Sequence, residues 1–283
     1  MERSDQCTVC LSFDFDAISL WLKTFNATSP SKISRGEFGA VAAVRLLDLL
    51  DRYTIKSTWF VPGHTADTYP QTVAEVYSRG HEVGHHGYCH ENPLGLGGEA
   101  EERRILEKGL ESLERVTGAR PVGYRSPSWD LSPHSIGLLT EYGFLYDSSL
   151  MGNDFTAYWC RTGDRFDLES AYQFGPAVDL VELPVTWGLD DFPAFEYVST
   201  PNKVHPGLRS PDDVYQIWAG DFDYMLRDVP GGVYTLTMHP QVIGRGHRLL
   251  MLERLIEHML TQPGVRFMRL RDYAREWKAD HKP

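Results

Sequence analysis

Apolar and β-branched residues recur along this chain in short runs. Longer stretches between them carry apolar positions every three or four residues. The short runs are TVCLSF (8–13), STWFV (57–61), HEVG (81–84), PVGYR (121–125), FLY (144–146), LVELPV (180–185), VYTLTM (233–238) and VRFMRL (265–270), each with the length and composition of a buried strand. Segment 99–117 sets Ile105, Leu106, Leu110 and Leu113 on one helical face and charge on the other. Segment 37–53 sets Val41, Val44, Leu47 and Leu50 at helical spacing, and 70–79, 132–142, 211–228 and 247–261 behave alike. Strand–helix alternation repeated this often predicts an α/β fold with a parallel sheet, open or closed into a barrel. Two stretches, 148–179 and 186–210, break the rhythm. They are rich in Gly, Pro, Asp and aromatic residues and are long for connectors, as lids, binding surfaces or oligomer contacts are.

Composition narrows the class. The chain has 283 residues, 42% hydrophobic and 24% charged, in the range of a soluble globular enzyme. A formal net charge of −11 argues against nucleic acid and anionic membrane as partners, because both select a basic face. The start, MERSDQCTVCLSFDF, has no basic leader followed by an apolar run, and no stretch reaches about 18 unbroken apolar residues. The expected location is the cytoplasm. Cys7 and Cys10 are three apart on a predicted strand, so their thiols face opposite ways and make a poor metal or redox pair.

Parallel β/α folds do their chemistry at the carboxyl ends of the strands. Asp14, Asp16, His64, Arg125, Asp147, Trp187, Asp190, Asp191 and His239 all follow strand runs, and so do the histidines of HEVGHHGYCHE (81–91). Asp14 and Asp16, two apart on a strand, share a face, and adjacent buried carboxylates call for a cation or a shared proton. His86 and His90 have the i, i+4 spacing that brings two imidazoles to one side of a helical turn. Asp16, His86 and His90 therefore form a candidate site for a divalent metal: Zn2+ first, with Co2+, Ni2+, Fe2+ or Mn2+ also suited. Asp14 is left free to act as general base, Arg125 can hold it ionised, and His239 is placed to protonate a leaving amine. His85, of opposite parity to His86, is expected to orient a ligand by hydrogen bond, and His81 to be structural.

These motifs resemble the NodB-like polysaccharide deacetylases, carbohydrate esterase family four. LSFDFDA is similar to the family's first motif, although Phe15 separates aspartates that are usually adjacent. GHEVGHHGYCHE is similar to the second, YRSPSW to the third and LTMHPQ to the fifth; the fourth finds only YDSSLMGND, which leaves Asp147 without a role. The resemblance implies a distorted (β/α) barrel of about seven parallel strands, a single domain over 1–283 with insertions at 148–179 and 186–210, and a metal-dependent hydrolase of a non-peptide C–N bond that deacetylates an N-acetylated sugar. It extends to a branch with cytoplasmic peptidoglycan-deacetylase-like proteins, cyclic imide hydrolases and allantoinases, whose members commonly form tetramers. A dimer or tetramer is therefore expected here. In that setting Trp129, Trp187 and Asp191 are expected to wall the substrate pocket. The alternatives are a cytoplasmic amidohydrolase opening a small cyclic imide or ureide, a non-heme iron oxygenase, and a carbohydrate-binding protein without turnover.

Overall fold

The structure, a computed structural model, describes residues 6–199 and 204–283. Its strands are β1 (Cys7–Asp14), β2 (Thr58–Val61), β3 (Glu82–His85), β4 (Gly123–Tyr124), β5 (Tyr146–Asp147), β6 (Tyr158–Arg161), β7 (Ala177–Glu182), β8 (Val198–Ser199), β9 (Val204–His205), β10 (Val233–Met238) and β11 (Val265–Phe267). The helices are α1 (Ile18–Lys23), α2 (Pro30–Arg52), α3 (Gly63–Thr68), α4 (Pro70–Ser78), α5 (Glu99–Thr117), α6 (Ser135–Glu141), α7 (Asp191–Phe195), α8 (Pro211–Asp228), α9 (Pro240–Ile243), α10 (Gly246–Leu260) and α11 (Leu270–Asp280).

All eight predicted strands form. They run parallel in the order β10-β1-β2-β3-β4-β5-β7, with β11 also paired to β1 and the unforeseen β6 added antiparallel at the far edge. The sheet curls into a half-barrel with helices packed outside it. Between its two ends the chain has no ladder; Val233 N–H donates to the Phe155 carbonyl, and Asp190 forms an isolated parallel bridge with Thr237.

Strand β1 shows how alternation builds the site. Val9, Leu11, Phe13 and, just beyond the strand, Phe15 point outward into the main core beneath α2, while Cys10 lies in the separate interior cluster with Phe60 and Tyr146. Cys7 and Cys10 thus fall in opposite layers, both free and buried. The same parity turns Ser12, Asp14 and Asp16 inward. Phe15, interposed between the aspartates, keeps both on one face while adding a ring to the outer core, where it meets Trp59 edge-on at 6.1 Å.

One helix face differs from expectation. Val41 and Val44 on α2 are exposed, and the buried face is Gly36, Gly39, Ala42, Ala43, Leu46, Leu47 and Leu50. Close contact with the chain at Ala17 and with α9 selects small residues there. A Cβ on Gly36 would run into the Ala17 carbonyl, and one on Gly244 into Ala42. Helices α4, α5, α8 and α10 match their predicted spans to within about a residue, as well as helix ends are ever defined.

Neither interrupting stretch is a plain loop. Residues 148–179 supply β6 and the start of β7, and 186–210 supply α7, β8 and β9, with 200–203 outside the described residues.

Candidate active site

A cleft of about 600 Å³ opens at the carboxyl ends of the strands. Asp14, His86, His90 and His239 line its floor, and Phe25, Trp129, Trp187 and Phe192 its walls. Asp16 lies beneath them, fully buried, with no hydrogen bond to either carboxylate oxygen among the described residues. Three imidazoles surround it: His86 Nε2 at 3.4 Å, His90 Nε2 at 3.8 Å and His239 Nε2 at 3.7 Å. Burial would raise the Asp16 pKa, but His90, His86 and His239 outweigh it and bring it down to about 2.

An orphaned, ionised carboxylate in the interior calls for a positive partner. Two donors each about 2.1 Å from a tetrahedral ion lie about 3.4 Å apart, so the spacing of Asp16, His86 and His90 fits a cation such as zinc. The ring tautomers agree. His86 Nδ1–H donates to the Arg125 carbonyl at 2.7 Å, leaving Nε2 with its lone pair toward Asp16. His90 Nδ1 is 2.8 Å from Thr24 Oγ1, a hydrogen bond that orients the second ring. A second group, Asp190, Asp191 and His239, is also close enough to hold an ion. Asp191 and His239, however, are already hydrogen-bonded to each other, and Asp190 Oδ1 accepts from Phe192 N–H.

The two imidazoles meet by a route other than the helical turn expected. Residues 87–89 form a tight turn, with Gly87 at φ 70° and His90 itself at φ 61°, and the rings stand 5.1 Å apart at 76°. His85 bonds no ligand ring, a correction to its expected role. It points outward to α5, where Nε2 donates to the Leu106 carbonyl at 3.0 Å and Nδ1 accepts from Gly87 N–H at 3.2 Å, so it braces the turn's backbone. His81 is structural, its Nδ1 accepting from Ser57 N–H. His64 does not line the cleft; it meets Tyr88 edge-on.

Arg125 reaches Asp14 as the sequence suggested. Its Nη1 donates to Asp14 Oδ1 at 2.8 Å and to Ser12 Oγ at 2.9 Å, and its other nitrogens are held by the Ser148 carbonyl and hydroxyl. The guanidinium also sits 4.3 Å from the Phe60 ring centre. With all three guanidinium nitrogens held, Asp14 Oδ1 is fixed in place, and its second oxygen lies 4.0 Å from His86 Nε2.

On the opposite wall, Asp191 is a finding against expectation. It does not line the cleft but lies fully buried behind His239, accepting from its Nδ1–H at 2.7 Å and from its backbone N–H at 3.0 Å. Asp190 is the cleft-lining member of the pair, with its carboxylate 3.6 Å from the same Nδ1. Burial lowers the His239 pKa, but Asp190 and Asp191 reverse this and hold it well above the usual histidine range. Burial lifts Asp190 to about 7.

Trp129 and Trp187 both line the cleft, stacked on each other with centroids 4.3 Å apart. Ser128 and Trp129 each have positive φ, as do Ala17, Asn26 and His90. Five of the seven such non-glycine residues described therefore surround this site, where backbone strain of about 1–3 kcal/mol each is characteristically kept. Thr24, Phe25, Asn26 and Phe192 gave no periodic signal in the sequence. Asp147 is buried away from the cleft, accepting from the Ser149 hydroxyl at 2.7 Å.

Known proteins share this sequence pattern and fold. The family profile described as polysaccharide deacetylase matches residues 22–146, a span that includes His86, His90 and Arg125. A peptidoglycan deacetylase from Helicobacter pylori is 39% identical over 279 residues, 94% of each chain. A peptidoglycan deacetylase-like protein from Gibberella zeae is 32% identical over 99% of this chain and 88% of its own. The crystal structure of a candidate polysaccharide deacetylase from Mycobacterium smegmatis superposes with TM-score 0.86 at 34% identity, covering 100% of this chain and 96% of that one. An allantoinase shares the fold at TM-score 0.78 and 23% identity, covering 99% and 93%.

Proposed function

The chain belongs to the polysaccharide deacetylase family and is a hydrolase of carbon–nitrogen bonds other than peptide bonds; from that premise we propose that it removes the acetyl group from an N-acetylated sugar with the help of one divalent metal. The observation that carries this reading is the pairing of two proton-handling groups, Asp14 on Arg125 and His239 on Asp191, across an orphaned Asp16 flanked by His86 and His90.

In this reading Asp16, His86 and His90 hold the metal, zinc first among the candidates. When bound, it supplies Lewis acidity toward a carbonyl and lowers the pKa of water. Asp14, immobilised by Arg125, takes the proton of the attacking water. His239, kept cationic by Asp191, gives its proton to the departing amine through Nε2. Trp129 and Trp187 offer the aromatic wall against which a sugar ring packs. The chain works as one NodB-like domain, located in the cytoplasm and assembled as a dimer or tetramer, as the resemblance implies.

A second reading, opening of a small cyclic imide, draws support from the cleft's mainly aromatic and aliphatic lining: Leu20, Phe25, Trp129, Phe192 and Val198 suit a compact planar ring. One experiment separates the two. Acetate release from N-acetylated chito-oligosaccharides and ring opening of cyclic imides are followed side by side, with wild type and Asp14→Asn. Acetate release lost in the variant supports the deacetylase. Turnover confined to the imides would transfer the same machinery to the second reading. Full activity of Asp14→Asn on either substrate would refute the assignment of the base.

A further inference from the structure

Arg248 stands in the first turn of α10, is 7% exposed and does not line the cleft. Its guanidinium reaches two short helices at once. Nη1 donates to the Val242 carbonyl of α9 at 2.8 Å, and Nη2 donates to the Phe195 carbonyl of α7 at 3.1 Å. The same group lies 4.7 Å from the centre of the Phe195 ring. Its Nε has no hydrogen-bond partner among the described residues, and no described carboxylate pairs with it.

The two helices it grips carry the proposed acid and the carboxylate behind it. α7 opens with Asp191 and ends at Phe195; α9 is capped by His239 and runs from Pro240 to Ile243. Each is about one turn long, too short to keep its shape alone in water, and the carbonyls of its last turn have no partner within the helix. Asp191 precedes Phe195 by four residues and His239 precedes Val242 by three. Each arm of the fork therefore holds the turn that bears one member of the Asp191–His239 bond.

We propose that Arg248 is a positioning residue for His239: by holding the ends of α7 and α9 in one planar fork, it fixes the separation of Asp191 from the imidazole it anchors. This role rests on the reading of His239 as the proton donor. The tie matters because α7 belongs to 186–210, where the β/α rhythm fails. α7 and Asp190 meet the chain around His239 through the Asp190–Thr237 bridge and the Asp191 bonds. Arg248 adds a tie one turn farther along each helix, and two ties fix an orientation that one leaves free to pivot. Burial raises the Asp191 pKa, while His239 and then Arg248 pull it back, so the guanidinium also favours the ionised partner that His239 needs. A core that only needed filling would do as well or better with an apolar side chain of similar volume, because a buried guanidinium without a carboxylate is costly.

The test compares wild type, Arg248→Met and Arg248→Lys as full chains. Methionine keeps an apolar stem and removes the donors; lysine keeps the charge without the fork. The readouts are the low-field Nδ1–H resonance of His239 in protein with labelled histidine, assigned by its loss in His239→Gln, together with kcat, KM and melting temperature. For Arg248→Met the expected result is a folded protein whose resonance moves upfield or broadens away. Its kcat should fall about 10- to 100-fold, the effect of misplacing a reacting group by about 1 Å, with KM within about twofold. Arg248→Lys should fall between, and it decides alone if methionine prevents folding. A merely structural arginine would lower the melting temperature and leave resonance and kcat in place, and that outcome overturns the proposal. So does a lysine variant equal to wild type in both. The resonance is read without substrate, so the two readings fail separately. A wild type that releases no acetate from chito-oligosaccharides sinks the deacetylase, whereas an unmoved resonance sinks the role of Arg248.

Discussion

Replacing Asp191 by Asn isolates the electrostatic half of the proposed acid catalyst. The substitution keeps the shape of the side chain and an acceptor for His239 N–H, but removes the charge 2.7 Å from Nδ1. A hydrogen bond to a charged group contributes about 1.5–3 kcal/mol, and here the charged form of the imidazole is what it stabilises. That energy corresponds to about one to two pK units. His239 is held well above the ordinary histidine value in the parent, so its loss of a proton sets the alkaline limb of the pH–rate profile. Activity requires the protonated ring and falls as pH rises through its pKa. Lowering that pKa must move the limb to lower pH. The expectation is a downward move of about one to two units, with turnover at mildly alkaline pH reduced about 10- to 100-fold. Asp190, still 3.6 Å from Nδ1, keeps the effect from being larger. KM should hold, because Asp191 does not line the cleft. The assay is acetate release as a function of pH for both proteins. An alkaline limb that stays in place, or turnover within about threefold at every pH, would refute His239 as an acid tuned by Asp191.

Asp16→Asn should lose both bound metal and turnover, whereas Asp14→Asn should lose turnover and keep the metal; metal content per chain by plasma mass spectrometry distinguishes them, and equal retention by both would undo the ligand assignment. Gly36→Ala forces a methyl against the Ala17 carbonyl, next to Asp16, and should destabilise by about 1–3 kcal/mol while lowering metal occupancy. Denaturant melts with metal analysis check it, and unchanged stability would show that α2 can yield there. His81 is held by burial at about 4, below its unfolded value of about 6.5, so the stability it lends is complete above pH 6.5 and is lost as pH falls toward 4. His81→Asn, which keeps an acceptor for Ser57 N–H, should shrink the fall in unfolding free energy between pH 7 and 4 by roughly 3 kcal/mol. An unchanged acid slope in urea melts at several pH values would count against this.

Much of the sheet was legible because parallel strands buried on both faces read as continuous apolar runs. The amphipathic face of α5 came through in helical form: Ile105, Leu106, Leu110 and Leu113 are all buried on one side, Leu113 in the main core and Leu106 and Leu110 in a second cluster. Helix α2 misled because its closest contacts are made by Gly36, Gly39 and Ala42, which a search for large apolar residues passes over. Strand β6 was missed because its partner is antiparallel and its register bulges near Cys160, so no clean alternation marks it. In the site, spacing found the residues that the strand ends supply: Asp14, Asp16, His86, His90, Arg125 and His239. It could not tell a helical turn from the left-handed turn at Gly87 and His90, because both bring positions 86 and 90 together.

Asp191 shows where reasoning from spacing stops. Two adjacent aspartates at a strand end signal a polar site, but only the backbone path decides which one faces the cleft. Asp190 caps α7 by accepting from Phe192 N–H, and that bond turns its carboxylate toward the opening. The next residue is thereby carried inward, where Asp191 meets both the ring and the backbone of His239. The division of labour between the two carboxylates is thus set by a helix cap, a local event within the stretch where the β/α rhythm fails. The groups proposed to react come from the regular part of the chain, because strand ends converge of necessity. The wall formed by Trp187 and Phe192, and the carboxylate that tunes His239, come from the irregular part. A change within 186–210 can therefore reshape the cleft wall without displacing Asp14, Asp16, His86 or His90.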